Sequence, residues 1–137
     1  MEKYAHIYPM FIMVLLTAFV MIFTLITRIR AVRKGEMNRN YFKTFNEGNP
    51  SEAVIKTGRH FSNLFELPLL FYVGCITSML LPQPITPLWA WLFVASRIVH
   101  TYIHLGCNNI YPRMISYFLG WVCVLVMWST IVLAISA

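Results

Sequence analysis

The amino-acid sequence predicts an all-α membrane protein, a bundle of four transmembrane helices, on two observations. First, 58% of the 137 residues are hydrophobic and only 12% are charged, whereas soluble domains average about 25% charged residues. A soluble chain of this length could not bury so much apolar surface, so we expect lipid to cover it. Second, the sequence contains four apolar runs near the length of about 20 residues with which a helix crosses a bilayer.

The four helices are predicted at residues 8–30, 53–81, 87–106 and 112–136. Basic residues follow the first run as a stop-transfer pattern, so we expect it to stay as a helix and not to be cleaved as a signal peptide. The second run ends at the breaker Pro82-Gln83-Pro84. Pro87 and Pro112 fit the first turn of a helix, where the missing N–H needs no partner. The short connections between the later helices predict antiparallel neighbours in a single domain, residues 1–137.

The basic residues predict the orientation of this bundle. Six of the eleven Lys and Arg residues lie between Arg28 and Lys43, from the end of the first helix into the loop that follows it. Positively charged loops remain on the cytoplasmic side. We therefore predict a multi-pass protein with cytoplasmic first and third loops and external N- and C-termini. The same pattern accounts for the net charge of +6, so we expect contact with the lipid bilayer and no binding of nucleic acid.

Polar side chains within the predicted helices are the candidates for function. Ionisable groups at membrane depth are costly and face the bundle interior or a cavity. Three helices carry them at helical spacing, so each set shares one face. The sets are Arg59, Asn63 and Glu66; Arg97, His100 and His104; and Arg113 with Tyr117. The antiparallel topology places all three in the cytoplasmic half, which predicts a polar cavity whose excess of arginine favours an anionic ligand.

A structural interpretation also exists for each of these residues taken singly. Glu66 would neutralise Arg97 or Arg59 between helices, and Arg59 would extend to the membrane interface. The three cysteines show no metal-ligand spacing, so no metal site is predicted. Cys75 and Cys123 lie in apolar stretches and are expected in the core.

Four segments of the chain form a specific combination. They are Arg59–Pro68 (RHFSNLFELP), Arg97–His104 (RIVHTYIH), Arg113 with Tyr117, and the basic end of the first helix, Arg28–Gly35. Together they resemble the MAPEG family, the membrane-associated proteins in eicosanoid and glutathione metabolism. The Asn-Leu-Phe-Glu-x-Pro form in the first segment resembles bacterial members whose activity is unassigned.

The resemblance implies a homotrimer of four-helix subunits, with glutathione bound at the subunit interfaces near the cytoplasmic side. Arg113 would correspond to the arginine that activates the glutathione thiol in the prostaglandin and leukotriene synthases. His104 stands where several family enzymes have a tyrosine. Carried over residue by residue, the implied glutathione contacts are Arg30, Arg59, Asn63, Glu66, His100, His104 and Tyr117.

The function implied by the resemblance is a glutathione-dependent transferase or peroxidase that acts on lipophilic electrophiles in the membrane. Glutathione would be the cosubstrate, and a hydrophobic small molecule the second ligand. One alternative is a non-catalytic MAPEG-like membrane protein that binds lipid or a partner. A small multidrug transporter is less favoured, because the first helix has no acidic residue within its apolar span.

Overall fold

A computed structural model describes residues 4–38, 40–45, 49–82 and 85–136. Within these ranges the chain is helical and contains no strand, which confirms the all-α class. The helices are α1 (Ile7–Arg33), α2 (Tyr41–Thr44), α3 (Glu52–Asn63), α4 (Leu67–Leu80), α5 (Leu88–Leu105) and α6 (Ile110–Ser136). Arg39 of the basic loop, and Gln83 and Pro84 of the predicted turn, lie outside the described residues.

Three stretches of the described chain are long and apolar enough to cross a membrane. They are α1, the stretch Glu52–Leu80 that comprises α3 and α4, and α6. The remaining long helix, α5, has 18 residues and includes Arg97, His100 and His104. It packs along α6 and contacts α1, α3 and α4 as well. The polar side chains of α5 therefore lie among the other helices, where Arg97 and His100 are buried away from lipid.

The second predicted helix is divided by a turn. The helical pattern stops at Asn63 and resumes at Leu67, and the amides of Leu64 and Phe65 bond three residues back. Pro68 explains the position of the break, because its ring excludes the carbonyl of residue 64 from a continuous helix and it has no N–H to donate. Side chains after the turn consequently lose the helical register set by α3.

The apolar core lies in the half of the bundle where α4, α5 and α6 meet. The rings of Phe71 and Phe93 stack with their centroids 4.5 Å apart. Gly120 allows α6 to approach closely, since a Cβ there would lie 3.2 Å from the Ser96 hydroxyl oxygen. The Trp128 indole N–H donates to the Leu70 carbonyl oxygen over 3.2 Å. These contacts hold α4, α5 and α6 together, which determines how the polar faces of α5 and α6 meet further along.

The opposite half of the bundle contains the basic loop, and we call it the basic end. It comprises the C-terminal ends of α1 and α5, the N-terminal ends of α3 and α6, and α2. The Arg28 guanidinium lies 5.5 Å from the centroid of the Phe42 ring and 5.7 Å from that of Phe45. The Lys56 ammonium donates to the Gly106 carbonyl oxygen over 3.3 Å. The first loop and the α5–α6 connection are thus held on the same side of the bundle.

Candidate functional site

A cavity of about 500 Å³ opens at the basic end between α3, α5 and α6, and we call it the polar cavity. Six of the eight residues predicted for the site line it: Arg59, Asn63, His100, His104, Arg113 and Tyr117. The other lining residues are Glu52, Ile55, Lys56, Asn108, Met114 and Phe118. The three polar faces predicted from helical spacing therefore meet in one place.

Two predicted site residues lie elsewhere in this chain. Glu66 lines a second cavity of about 710 Å³ on the other side of Arg59, together with Arg28 and Ser62. The turn before Pro68 explains this, because Glu66 follows the end of α3 and no longer shares the Arg59 and Asn63 face. Arg30 is exposed on α1, a helix that contributes no residue to the polar cavity.

Arg97 lies behind the polar cavity and is fully buried, with 0% of its surface exposed. Its guanidinium donates to the Asn63 side-chain oxygen and lies 5.5 Å from the centroid of the Tyr117 ring. Among the described residues the one ion pair is Lys34–Glu36 at 3.9 Å, so Glu66 makes no direct ion pair with Arg97 or Arg59. The side chain of Asn63 is the partner of Arg97 instead. Arg97 thereby holds two residues of the cavity wall.

Arg113 is held in the cavity by the loop that precedes α6. Its Nη1 donates to the Asn108 side-chain oxygen over 2.7 Å, and Asn108 takes a left-handed backbone conformation with φ 49°. Asparagine tolerates that conformation better than most residues. The loop thus aims the amide oxygen at a half-buried guanidinium and limits its freedom before any ligand binds.

The charges around the polar cavity are predominantly positive. Lys56, Arg59 and Arg113 carry cations, and Glu52 is the one carboxylate in the lining. Low dielectric strengthens the field of such groups relative to water. The cavity therefore suits a ligand that carries more than one negative charge. A positive group on that ligand would lie near Glu52.

The sequence prediction omitted several residues that the structure brings to this region. Glu52 and Lys56 line the cavity, and their spacing of seven and three residues before Arg59 puts them on its face. The same helical spacing, followed from Arg59 back toward the start of α3, would have predicted both residues. His60 is fully buried with its ring centroid 4.7 Å from that of His104. No local signal indicates His60, because its contacts depend on the packing of α3 against α5.

The model of the MAPEG family matches residues 6–133. The chain belongs to the MAPEG family. The match spans α1 to nearly the end of α6, so every residue that lines the polar cavity lies within it. Family membership and the apolar helices together identify an integral membrane protein. A comparison with curated proteins finds no match.

Proposed function

We propose that this MAPEG protein is a glutathione-dependent transferase or peroxidase that acts on lipophilic electrophiles. The observation that carries the proposal is the polar cavity, which combines three cations, one carboxylate and an apolar edge in about 500 Å³. Pockets of about 300–1,000 Å³ are typical for small-molecule ligands. The family includes glutathione transferases and peroxidases as well as non-catalytic members, and the charges of this cavity favour the former.

Glutathione matches the cavity in charge. The tripeptide carries two carboxylates, one ammonium and one thiol, so it requires cationic partners and a single acidic one. Lys56 and Arg59 lie on one face of α3 and would receive the carboxylates, since Arg binds planar carboxylates through two parallel bonds. Glu52 lies on the same face and would receive the ammonium. Asn63 and Tyr117 would complete the contacts by hydrogen bonds, and His100 and His104 would form the wall beside the bound tripeptide.

Arg113 is the proposed activating group. The thiolate is the nucleophile, and a free thiol has a pKa of about 8.5. A guanidinium beside the sulfur stabilises the thiolate and so lowers the pKa of the thiol. Each pKa unit corresponds to about 1.4 kcal/mol. In the conjugation step, the sulfur forms a bond to the electrophilic carbon, the leaving group departs with its electron pair, and the thiol proton passes to solvent.

The electrophile would enter from the bilayer. Ile55, Met114 and Phe118 form the apolar part of the lining and have exposed side chains. On a membrane protein, such side chains lie against acyl chains. A lipophilic substrate would therefore reach the polar cavity without passing through water.

The proposed assembly is a homotrimer of subunits with four transmembrane helices, in which α5 is the fourth span. Burial of α5 against its neighbours supports this, because its polar face is covered by α3 and α6. Arg30 and Glu66, which lie outside the polar cavity of their own chain, would contact glutathione at a subunit interface. A lone chain would then hold an incomplete site.

The proposed orientation places the basic end in the cytoplasm and both termini outside. We expect reporter fusions at the C-terminus to read external, and fusions within the 36–50 loop to read cytoplasmic, because the basic loop resists translocation. Activity of paired phosphatase and fluorescent-protein reporters measures both positions. The reverse pattern would move the polar cavity to the external side and contradict the proposed access to cytoplasmic glutathione.

Binding of glutathione to the purified protein in detergent tests the function directly. At 100 times its dissociation constant, we expect glutathione to stabilise the fold by about 2.7 kcal/mol, seen as a rise in melting temperature. Arg59→Ala should reduce this rise, because one carboxylate of glutathione loses its guanidinium partner.

A glutathione analogue with a methyl group in place of the thiol is the matched control for that measurement. It should stabilise the protein comparably and give no product. Binding without turnover on any electrophile would favour a non-catalytic member. A melting curve unchanged by glutathione would overturn the proposal.

A further inference from the structure

Three histidines meet beside the polar cavity, His100 and His104 in its lining and His60 behind them. One ring nitrogen from each of His60, His100 and His104 lies within 4.8 Å of the other two. His60 and His100 are buried, with 0% and 3% of their surface exposed, and His104 is half-buried. His100 and His104 are four residues apart on α5, a spacing that places two imidazoles on one helix face. His60 joins them from α3.

The hydrogen bonds of His60 determine its tautomer. Its Nε2 lies 3.0 Å from the Thr101 hydroxyl oxygen. That hydroxyl donates its proton to the Arg97 carbonyl oxygen over 2.8 Å, so it can only accept from His60. His60 Nε2 therefore carries the proton, and Nδ1 has a bare lone pair. That Nδ1 is buried and has no hydrogen-bond partner among the described residues.

The same reasoning applies to His100. Its Nδ1 lies 3.1 Å from the Arg113 carbonyl oxygen, which can only accept. The neighbouring Ser116 hydroxyl also donates to that carbonyl, over 2.9 Å. His100 Nδ1 therefore donates, which leaves the lone pair on Nε2. Nε2 of His100 and Nδ1 of His104 are both buried without a partner in the described part of the chain.

We propose that His60, His100 and His104 bind one divalent transition-metal ion of the zinc type. Neutral imidazole is a preferred ligand for such ions. Metal-bound histidines usually donate their other ring N–H to an oxygen acceptor such as a carboxylate, a backbone carbonyl or water, which fixes the tautomer. His100 does so to the Arg113 carbonyl and His60 to the Thr101 hydroxyl. The metal would accept lone pairs that otherwise stay buried and unpaired.

The geometry leaves a fourth coordination position toward the polar cavity. Zinc–nitrogen bonds of about 2.0–2.1 Å place ligand nitrogens about 3.4 Å apart in a tetrahedron. Small ring rotations from the present separations, all within 4.8 Å, would reach that arrangement. His100 and His104 line the cavity, so the open position faces it. Because Lys56 and Arg113 are nearby cations, the fourth ligand is an anion such as hydroxide, chloride or a thiolate.

Titration of the protein with Co²⁺ and Zn²⁺ tests the site. The protein carries no affinity tag and no glutathione is present, so the result does not depend on the proposed function. We expect one ion per chain by elemental analysis, with the strong visible absorption of four-coordinate Co²⁺ and its loss when Zn²⁺ displaces the cobalt.

His60→Asn should abolish that absorption, and because His60 does not line the polar cavity, stabilisation by glutathione should persist. The matched control is His6→Asn, which changes another buried histidine at the opposite end of the bundle and should bind the metal normally. An equal cobalt spectrum in His60→Asn, or substantially less than one ion per wild-type chain, would overturn the proposal.

Thr101→Val gives an independent test that keeps all three imidazoles. Valine has nearly the same shape, and it removes the acceptor for His60 Nε2–H. Loss of such a supporting contact typically lowers metal affinity by about 10–100-fold. We expect that fall with the form of the cobalt spectrum retained. Unchanged affinity would contradict the assignment of His60 as a ligand, even if His60→Asn failed to fold.

Discussion

Arg113→Leu is expected to reduce conjugation of glutathione to chlorodinitrobenzene by roughly 100-fold or more, the scale found when one preorganised electrostatic donor is removed. The reason is that the thiolate loses the guanidinium that favours it, while the apolar edge of the cavity is retained. Arg113→Lys should keep part of the activity, since the charge survives and the planar fork is lost. Initial rates per mole of folded protein, with the ultraviolet absorbance of bound thiolate, measure both effects.

The thiolate absorbance should fall in step with the rate across the Arg113 variants. Arg33→Leu is the matched control, because Arg33 is an exposed arginine at the end of α1 that does not line the polar cavity. It should retain wild-type turnover. If Arg113 only anchors the helix at the membrane interface, leucine would weaken stability and leave turnover per folded protein unchanged. Wild-type activity in an assembled leucine variant would end the catalytic assignment.

Asn63→Leu is expected to lower the free energy of unfolding by about 1–3 kcal/mol or more in the absence of ligand. Arg97 is fully buried, and the Asn63 side-chain oxygen is the one hydrogen-bond acceptor of its guanidinium among the described residues. Leucine fills similar space and leaves the charge without that acceptor. Glu66→Gln should change stability by less than about 0.5 kcal/mol, because an exposed side chain without an ion pair contributes little.

Denaturation in detergent without glutathione compares the variants. Asn63→Asp serves as the control, because it keeps an acceptor oxygen for Arg97. It should be clearly more stable than Asn63→Leu. A large destabilisation in Glu66→Gln with none in Asn63→Leu would return the role of Arg97 partner to Glu66. That result would also contradict the register change that the structure places before Pro68.

Local spacing was enough to predict the parts of the site that depend on a single helix. Arg59 and Asn63 share a face of α3, and Arg113 and Tyr117 share a face of α6, because a regular helix repeats every 3.6 residues. The clustering of Lys and Arg in the first loop likewise predicted that both faces lie at the basic end. Glu66 departed from its predicted position because the turn before Pro68 interrupts that repeat.

The sequence by itself determined the membrane class, the family and the end of the bundle where the polar faces gather, since composition, motif and charge are properties of the chain alone. Only the tertiary structure decided which groups are partners across helices. It placed Arg97 against Asn63 and brought His60 to His100 and His104. The physical reason is that such pairs depend on the rotation and depth of each helix against its neighbours. Those quantities are set by packing over the whole bundle, and no local pattern encodes them.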